Sequence, residues 1–243
     1  MVDVVNTLNK YEPFMDNWMK HFDFSKFDKT FKGRSDTFKY TFHELVRDVP
    51  QDREIIVLEL GTARSFVDGQ FPGCNSNDTK YWEPNNPEKW DHGAGCFTRM
   101  IAEFLTKNHP KFTLYTVDLA PDHIERCKHM TKPFAKNIIY NVDDSVNFLK
   151  NMGSKCDLIY LDTGDMTPIE PTAKLHWEES KVILDRKLVN DGGILLIDDV
   201  RNPTSHAQQP DNRYGKAKYS IPWFMGNGYT IVKDEYQVCM KKM

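Results

Sequence analysis

From Ile55 onward, apolar runs of two kinds alternate along the chain. Ile55-Ile56-Val57-Leu58-Glu59-Leu60 is short and rich in β-branched residues, which reads as a buried strand. Phe97, Met100, Ile101, Phe104 and Leu105 recur instead at helical spacing, and Asn108-His109-Pro110 ends that helix. The alternation continues with a strand over 114–118, then a helix opened by Pro121 and running to about Met130. A strand over 137–142, a helix over 145–152 and a strand over 157–161 follow. A long helix fits within 172–188, before a turn at Asp191-Gly192-Gly193, a strand over 194–197 and a terminal hairpin over 228–232 and 237–240. Such alternation predicts an α/β fold, a doubly wound, mostly parallel sheet with helices on both faces.

Three stretches break the pattern. Residues 1–52 are aromatic and helix-like, with the best helix over 36–49, and read as an N-terminal helical extension to a domain over 53–243. Residues 66–92 are rich in Gly, Pro and Asn and carry Trp82 and Trp90, which reads as an insertion. Residues 201–218 form a polar loop with two prolines and His206. Loops of this length in a compact domain usually serve a function, often as lids.

Composition narrows the classes. A formal net charge of -3 with no long basic run argues against a nucleic-acid partner. No stretch approaches the roughly 18 apolar residues of a membrane span, and the mixed-charge N-terminus is unlike a secretory signal. The five cysteines are scattered and form no CxxC pair, which points to a reduced, cytoplasmic protein.

The chemistry gathers at strand ends. Glu59, Asp118, Asp162, Asp198 and Asp199 all fall at or near the carboxyl ends of predicted strands, where ligands of such sheets bind. Gly61 follows Glu59 and gives the backbone a sharp turn, continued by Thr62, Arg64 and Ser65. Asp118 stands where an acidic residue holds ribose hydroxyls. The separation of Gly61 and Asp118 suits one such unit only when 66–92 is set aside, so Gly93 and Gly95 would complete the glycine loop after the insertion. Asp144 and Ser145 open a helix after the third strand, and either caps it or faces a base edge.

This succession resembles the class I S-adenosylmethionine-dependent methyltransferases, over roughly residues 55–240. The resemblance implies a seven-stranded sheet with an antiparallel C-terminal hairpin. It implies that Glu59 and Gly61 lie near the methionine part, that Asp118 holds the ribose, that Asp144 and Ser145 flank the adenine, and that Thr62, Arg64, Ser65, Gly95 and Asp162 also belong to the cofactor site. The glycine loop departs from the family pattern, since Arg64-Ser65-Phe66 stands where a second glycine is usual.

Several carboxylates in one small volume repel unless a cation joins them. The set is similar to that of metal-dependent O-methyltransferases acting on sugar hydroxyls, and that resemblance implies Mg²⁺ or Mn²⁺ on Asp162, Asp198 and Asp199. Asp165 is then the first candidate base, with its role and that of Asp162 exchangeable, and His176 the second. A helix-borne His176 also reads as a packing or surface residue, and strand-end aspartates also read as solvated or capping groups. The expected partner is a small-molecule or carbohydrate acceptor, with homo-oligomerisation left open. A metal-independent methyltransferase on another acceptor and a non-catalytic module of a glycan-building protein are the alternatives.

Overall fold

The computed structural model describes residues 4–12, 25, 31–62, 84–85, 96–202 and 214–243. Two helices precede the sheet, α1 (Val4–Asn9) and α2 (Arg34–Val46). Then come β1 (Ile55–Leu60), α3 (Cys96–Asn108), β2 (Phe112–Asp118), α4 (Pro121–Thr131), β3 (Ile138–Val142), α5 (Ser145–Asn151) and β4 (Cys156–Leu161). The chain continues through α6 (Ile169–Asp185), β5 (Val189–Ile197), a 3-10 turn at Gly215–Ala217, α7 (Ser220–Met225), β6 (Tyr229–Asp234) and β7 (Val238–Lys242). The seven strands lie in the order β3-β2-β1-β4-β5-β7-β6. β1 to β5 pair parallel and β7 runs antiparallel to both β5 and β6, as the alternation and the hairpin predict.

Strand periodicity splits the core into two layers. Ile55, Val57, Leu114, Leu158, Tyr160, Ile194 and Leu196 face α2 and α3, while Leu58, Leu60, Ile159, Leu161, Leu195 and Ile197 face α6 and α7. Both faces of the central strands are covered, so their sequences are continuous apolar runs. Phe38, Phe42 and Leu45 of α2 join the first layer with Phe97 and Phe104 of α3. The described N-terminal residues therefore share the core of the sheet.

One sequence expectation is refined here. The turn read at Asp191-Gly192-Gly193 lies inside β5, which begins at Val189 paired with Cys156. The pairing of β4 with β5 shifts register between Cys156 and Leu158, so the extra residues are absorbed as an irregularity in the ladder. Residues 190–193 have no partner on β4 and Gly192 has φ of +74°, so the expected turn is present as this bulge.

Candidate functional site

Glu59 is the fifth residue of β1 and points into the α2–α3 layer, in register with Thr116 of β2 and Tyr160 of β4. It is 0% exposed. Thr116 donates to its Oε2 at 2.7 Å, Thr98 of α3 donates to the same oxygen, and Thr62 is bonded to Thr116. Oε1 has no hydrogen-bond partner among the described residues. Burial pushes the carboxyl up to about 8 against those hydroxyl donors. A buried polar atom without a partner is costly, so a donor at Oε1 would be favoured.

Gly61 leaves β1 with φ of +81°, and a Cβ there would lie 2.6 Å from the carbonyl oxygen of Asp162. Only glycine allows this approach, which sets the spacing between the ends of β1 and β4. On the other side, Asp118 closes β2 and accepts at Oδ1 from Ala120 N at 2.8 Å and from His123 Nδ1 at 3.0 Å. Leu119 beside it is 72% exposed.

The two residues expected at the adenine are engaged locally. Asp144 caps α5 by accepting from Asn147 N at 2.9 Å. The Ser145 hydroxyl donates to Glu179 of α6 at 2.6 Å, and Thr163 donates to the same carboxyl. Burial raises Glu179 to about 7. The Ser145 hydroxyl thus ties α5 to α6.

Asp162, Asp198 and Asp199 do come together, with one oxygen of each within 4.8 Å of the others. Arg34, the first residue of α2, spans two of them. Its Nε lies 2.8 Å from Asp198 Oδ2 and 3.0 Å from Oδ1, and its Nη2 lies 3.0 Å from Asp199 Oδ1. Lys216 Nζ lies 2.8 Å from Asp162 Oδ1 and 3.3 Å from Asp199 Oδ2. Tyr160 donates to Asp198 and sits 3.3 Å from Asp162 Oδ2, and Tyr236 donates to Asp199. The Tyr160 ring is held by stacking on Phe97 at 4.2 Å.

These contacts decide the protonation pattern. Burial, opposed by Lys216 but reinforced by Asp198 and Asp199, raises Asp162 to about 7. Burial also opposes ionisation of Asp199, yet Lys216 and Arg34 hold it at about 2. Burial works against both cations too, but the carboxylates keep Arg34 and Lys216 firmly protonated.

The donor set does not fit a divalent cation. Five of the six carboxylate oxygens already have a protein donor within 3.3 Å, two of those donors are cations, and the sixth, Asp162 Oδ2, sits 3.3 Å from the Tyr160 hydroxyl, whose proton goes to Asp198. A metal would have to displace Lys216 or lie beside it. The expectation of Mg²⁺ or Mn²⁺ rested on unpaired carboxylates, and these are paired.

The two candidate bases separate. Asp165 lies outside the cluster on the exposed loop after β4, where its carbonyl accepts from Thr172. His176 is 0% exposed and its Nε2 lies 3.0 Å from the Thr163 carbonyl, with burial and Lys216 lowering it to about 3. Its Nδ1 is buried with no hydrogen-bond partner among the described residues. Arg64, Ser65 and Gly95, with Gly93, Trp82, Trp90, His92, His206 and nearly all of the 66–92 insertion, lie outside the described residues.

Sequence reasoning missed Arg34, Lys216, Tyr160 and Tyr236. The one available signal was the charge argument itself, since clustered carboxylates ask for cations of any kind. Nothing local marks which of 32 Lys and Arg would answer.

No protein-family model matches the sequence, and no curated protein matches it. Solved structures share the fold. The SAH-bound methyltransferase PaMTH1 of Podospora anserina aligns with a TM-score of 0.53 at 14% identity, over 100% of this chain and 88% of its own. A Bordetella parapertussis protein described as a possible exported protein aligns with a TM-score of 0.52 at 12% identity, over 86% and 67%. Aeropyrum pernix fibrillarin, solved with natively bound S-adenosyl-L-methionine, is a looser likeness, with a TM-score of 0.48 at 14% identity over 85% and 74%. At these identities the likeness establishes a Rossmann-like methyltransferase fold.

Proposed function

We propose that the chain is an S-adenosylmethionine-dependent methyltransferase that acts on a hydroxyl of a small acceptor, a sugar or another polyol. The observation that carries this reading is the placement of Glu59 and Asp118 at the ends of adjacent strands, beside the three-aspartate cluster, in a fold shared with an SAH-bound methyltransferase. Ligands of open α/β sheets bind beyond these strand ends.

S-adenosylmethionine supplies an electrophilic methyl on its sulfonium. The chain's own residues bind, orient and move a proton. Asp118 accepts from the ribose hydroxyls, with Leu119 beside it as an apolar surface. Glu59 offers Oε1 to a donor at the methionine end. Asp162 is the carboxylate best placed to take the acceptor's proton, since it lies at the sheet edge between the Gly61 turn and the cluster. This moves the base role from Asp165 to Asp162. Lys216 is a positioning residue, because it is buried and reaches the acceptor only through Asp162. The paired carboxylates suit hydroxyl groups, which both donate and accept, and this supports a sugar or polyol over an apolar acceptor.

Two measurements test the reading. S-adenosylmethionine and its demethylated product should each raise the melting temperature, and failure of both overturns the assignment. Nucleotide sugars and free monosaccharides should then be screened for an added methyl by mass. Transfer to an apolar acceptor alone would overturn the polyol assignment while leaving the cofactor.

A further inference from the structure

The three-aspartate cluster carries two cations of its own, and they divide it between them. Arg34 takes Asp198 and one oxygen of Asp199, while Lys216 takes Asp162 and the other oxygen of Asp199. Lys216 arrives by construction. The 3-10 turn Gly215–Ala217 crosses beneath the Asp198-Asp199 bend, and the Gly215 φ of +53° lets the two backbones touch. A Cβ on Gly215 would lie 2.7 Å from the carbonyl oxygens of both Asp199 and Val200. Asp199 itself has φ of +54°, a conformation uncommon for a residue with a side chain. Two backbone segments in the left-handed region, pressed together, hold the Lys216 ammonium against two carboxylates.

That ammonium is 0% exposed. Water does not stabilise it there, so its charge depends on the carboxylates, and theirs on it. We propose that Lys216 is a built-in cation in the position a divalent ion would otherwise take, so that the cluster works without metal and removal of the Lys216 charge alone turns it into a divalent-cation site. The charge balance supports this. With Lys216 present, three carboxylates face two cations. With it removed, Asp162 and one oxygen of Asp199 lose their strongest partner. Hard oxygen donors within 4.8 Å of one another then suit Mg²⁺ or Mn²⁺, which take a few carboxylates and complete their shell with water.

The inference concerns the same site as the methyl-transfer reading but does not depend on it, because metal binding is read on the chain alone. The test is titration of Mn²⁺ into chelator-washed protein, following the free-ion electron paramagnetic resonance signal, with melting temperatures measured with and without Mn²⁺. The wild-type chain should leave the free-ion signal undiminished and its melting temperature unmoved. Lys216→Met should take up one Mn²⁺ per chain and melt higher in its presence, and adding Asp199→Asn should abolish the uptake. Lys216→Arg, which keeps the charge, should take up none. Uptake of one Mn²⁺ by the wild-type chain that Asp199→Asn removes would overturn the proposal, as would a folded Lys216→Met chain that binds none. If Lys216→Met folds only with Mn²⁺ present, the proposal is supported. If it does not fold at all, the wild-type and Lys216→Arg titrations decide, and uptake by either overturns it.

Discussion

A Cβ on Gly61 would stand 2.6 Å from the carbonyl oxygen of Asp162, so the end of β1 and the loop after β4 are in direct backbone contact. This contact brings the proposed cofactor side of the site up against the acidic cluster. Gly61→Ala is expected to cost on the order of 2–3 kcal/mol, from the positive φ and the collision together. The melting temperature should fall by ~5–10 °C. Cofactor affinity should fall with it, because Asp162 must move. An unchanged melting temperature would show that the two segments separate freely.

Arg34 binds Asp198 through both oxygens and reaches Asp199 as well. Arg34→Met leaves buried carboxylates short of a cation, which costs ~3 kcal/mol or more. Arg34→Lys should recover less than half of that, since an ammonium lacks the planar fork by which Nε holds Asp198 while Nη2 holds Asp199. Equal stability of the Lys and wild-type chains in urea unfolding would contradict this geometry.

Glu59 gives a signed pH dependence. Its folded value of about 8 lies above its ordinary 4.5, so its contribution to stability is whole below pH 4.5 and is lost as pH rises through about 8. Glu179, raised to about 7, acts in the same direction. Glu59→Gln should therefore flatten, without abolishing, the decline in melting temperature across that window. A variant that declines as steeply as wild type would mean that Glu59 is ionised throughout.

Asp118→Asn keeps an acceptor for Ala120 N and His123, so the fold should be retained. It removes the charge that would bind ribose hydroxyls, and the dissociation constant for S-adenosylmethionine should rise ~10–100-fold. Calorimetry on the two chains checks this. Equal affinities would move the ribose away from Asp118.

Much of the fold was legible because its signals are local. The periodicity of Phe97 to Leu105 marks α3, Pro121 opens α4, and the apolar run from Ile55 marks β1. The acidic residues at strand ends were legible for the same reason, since a carboxylate that ends an apolar run is visible in one dimension. The turn at Asp191-Gly192-Gly193 was legible from its glycines, but its place as a bulge within β5 depends on the pairing of Val189 with Cys156. The buried partners of Ser145 and His176 were not legible because each comes from another part of the chain, Glu179 in one case and the Thr163 carbonyl in the other.

By itself, then, the sequence determined the α/β alternation, the antiparallel tail and which carboxylates stand at the sheet edge. Only the tertiary structure decided what neutralises them. Arg34 and Asp198 are 164 residues apart, and Lys216 and Asp162 are 54 apart. Hydrophobic period and chain breakers act over a few residues, whereas charges pair according to which helix packs on which strand. The carboxylates announce that a cation is needed, and packing of α2 and of the Gly215 turn onto the sheet edge makes that cation an arginine and a lysine.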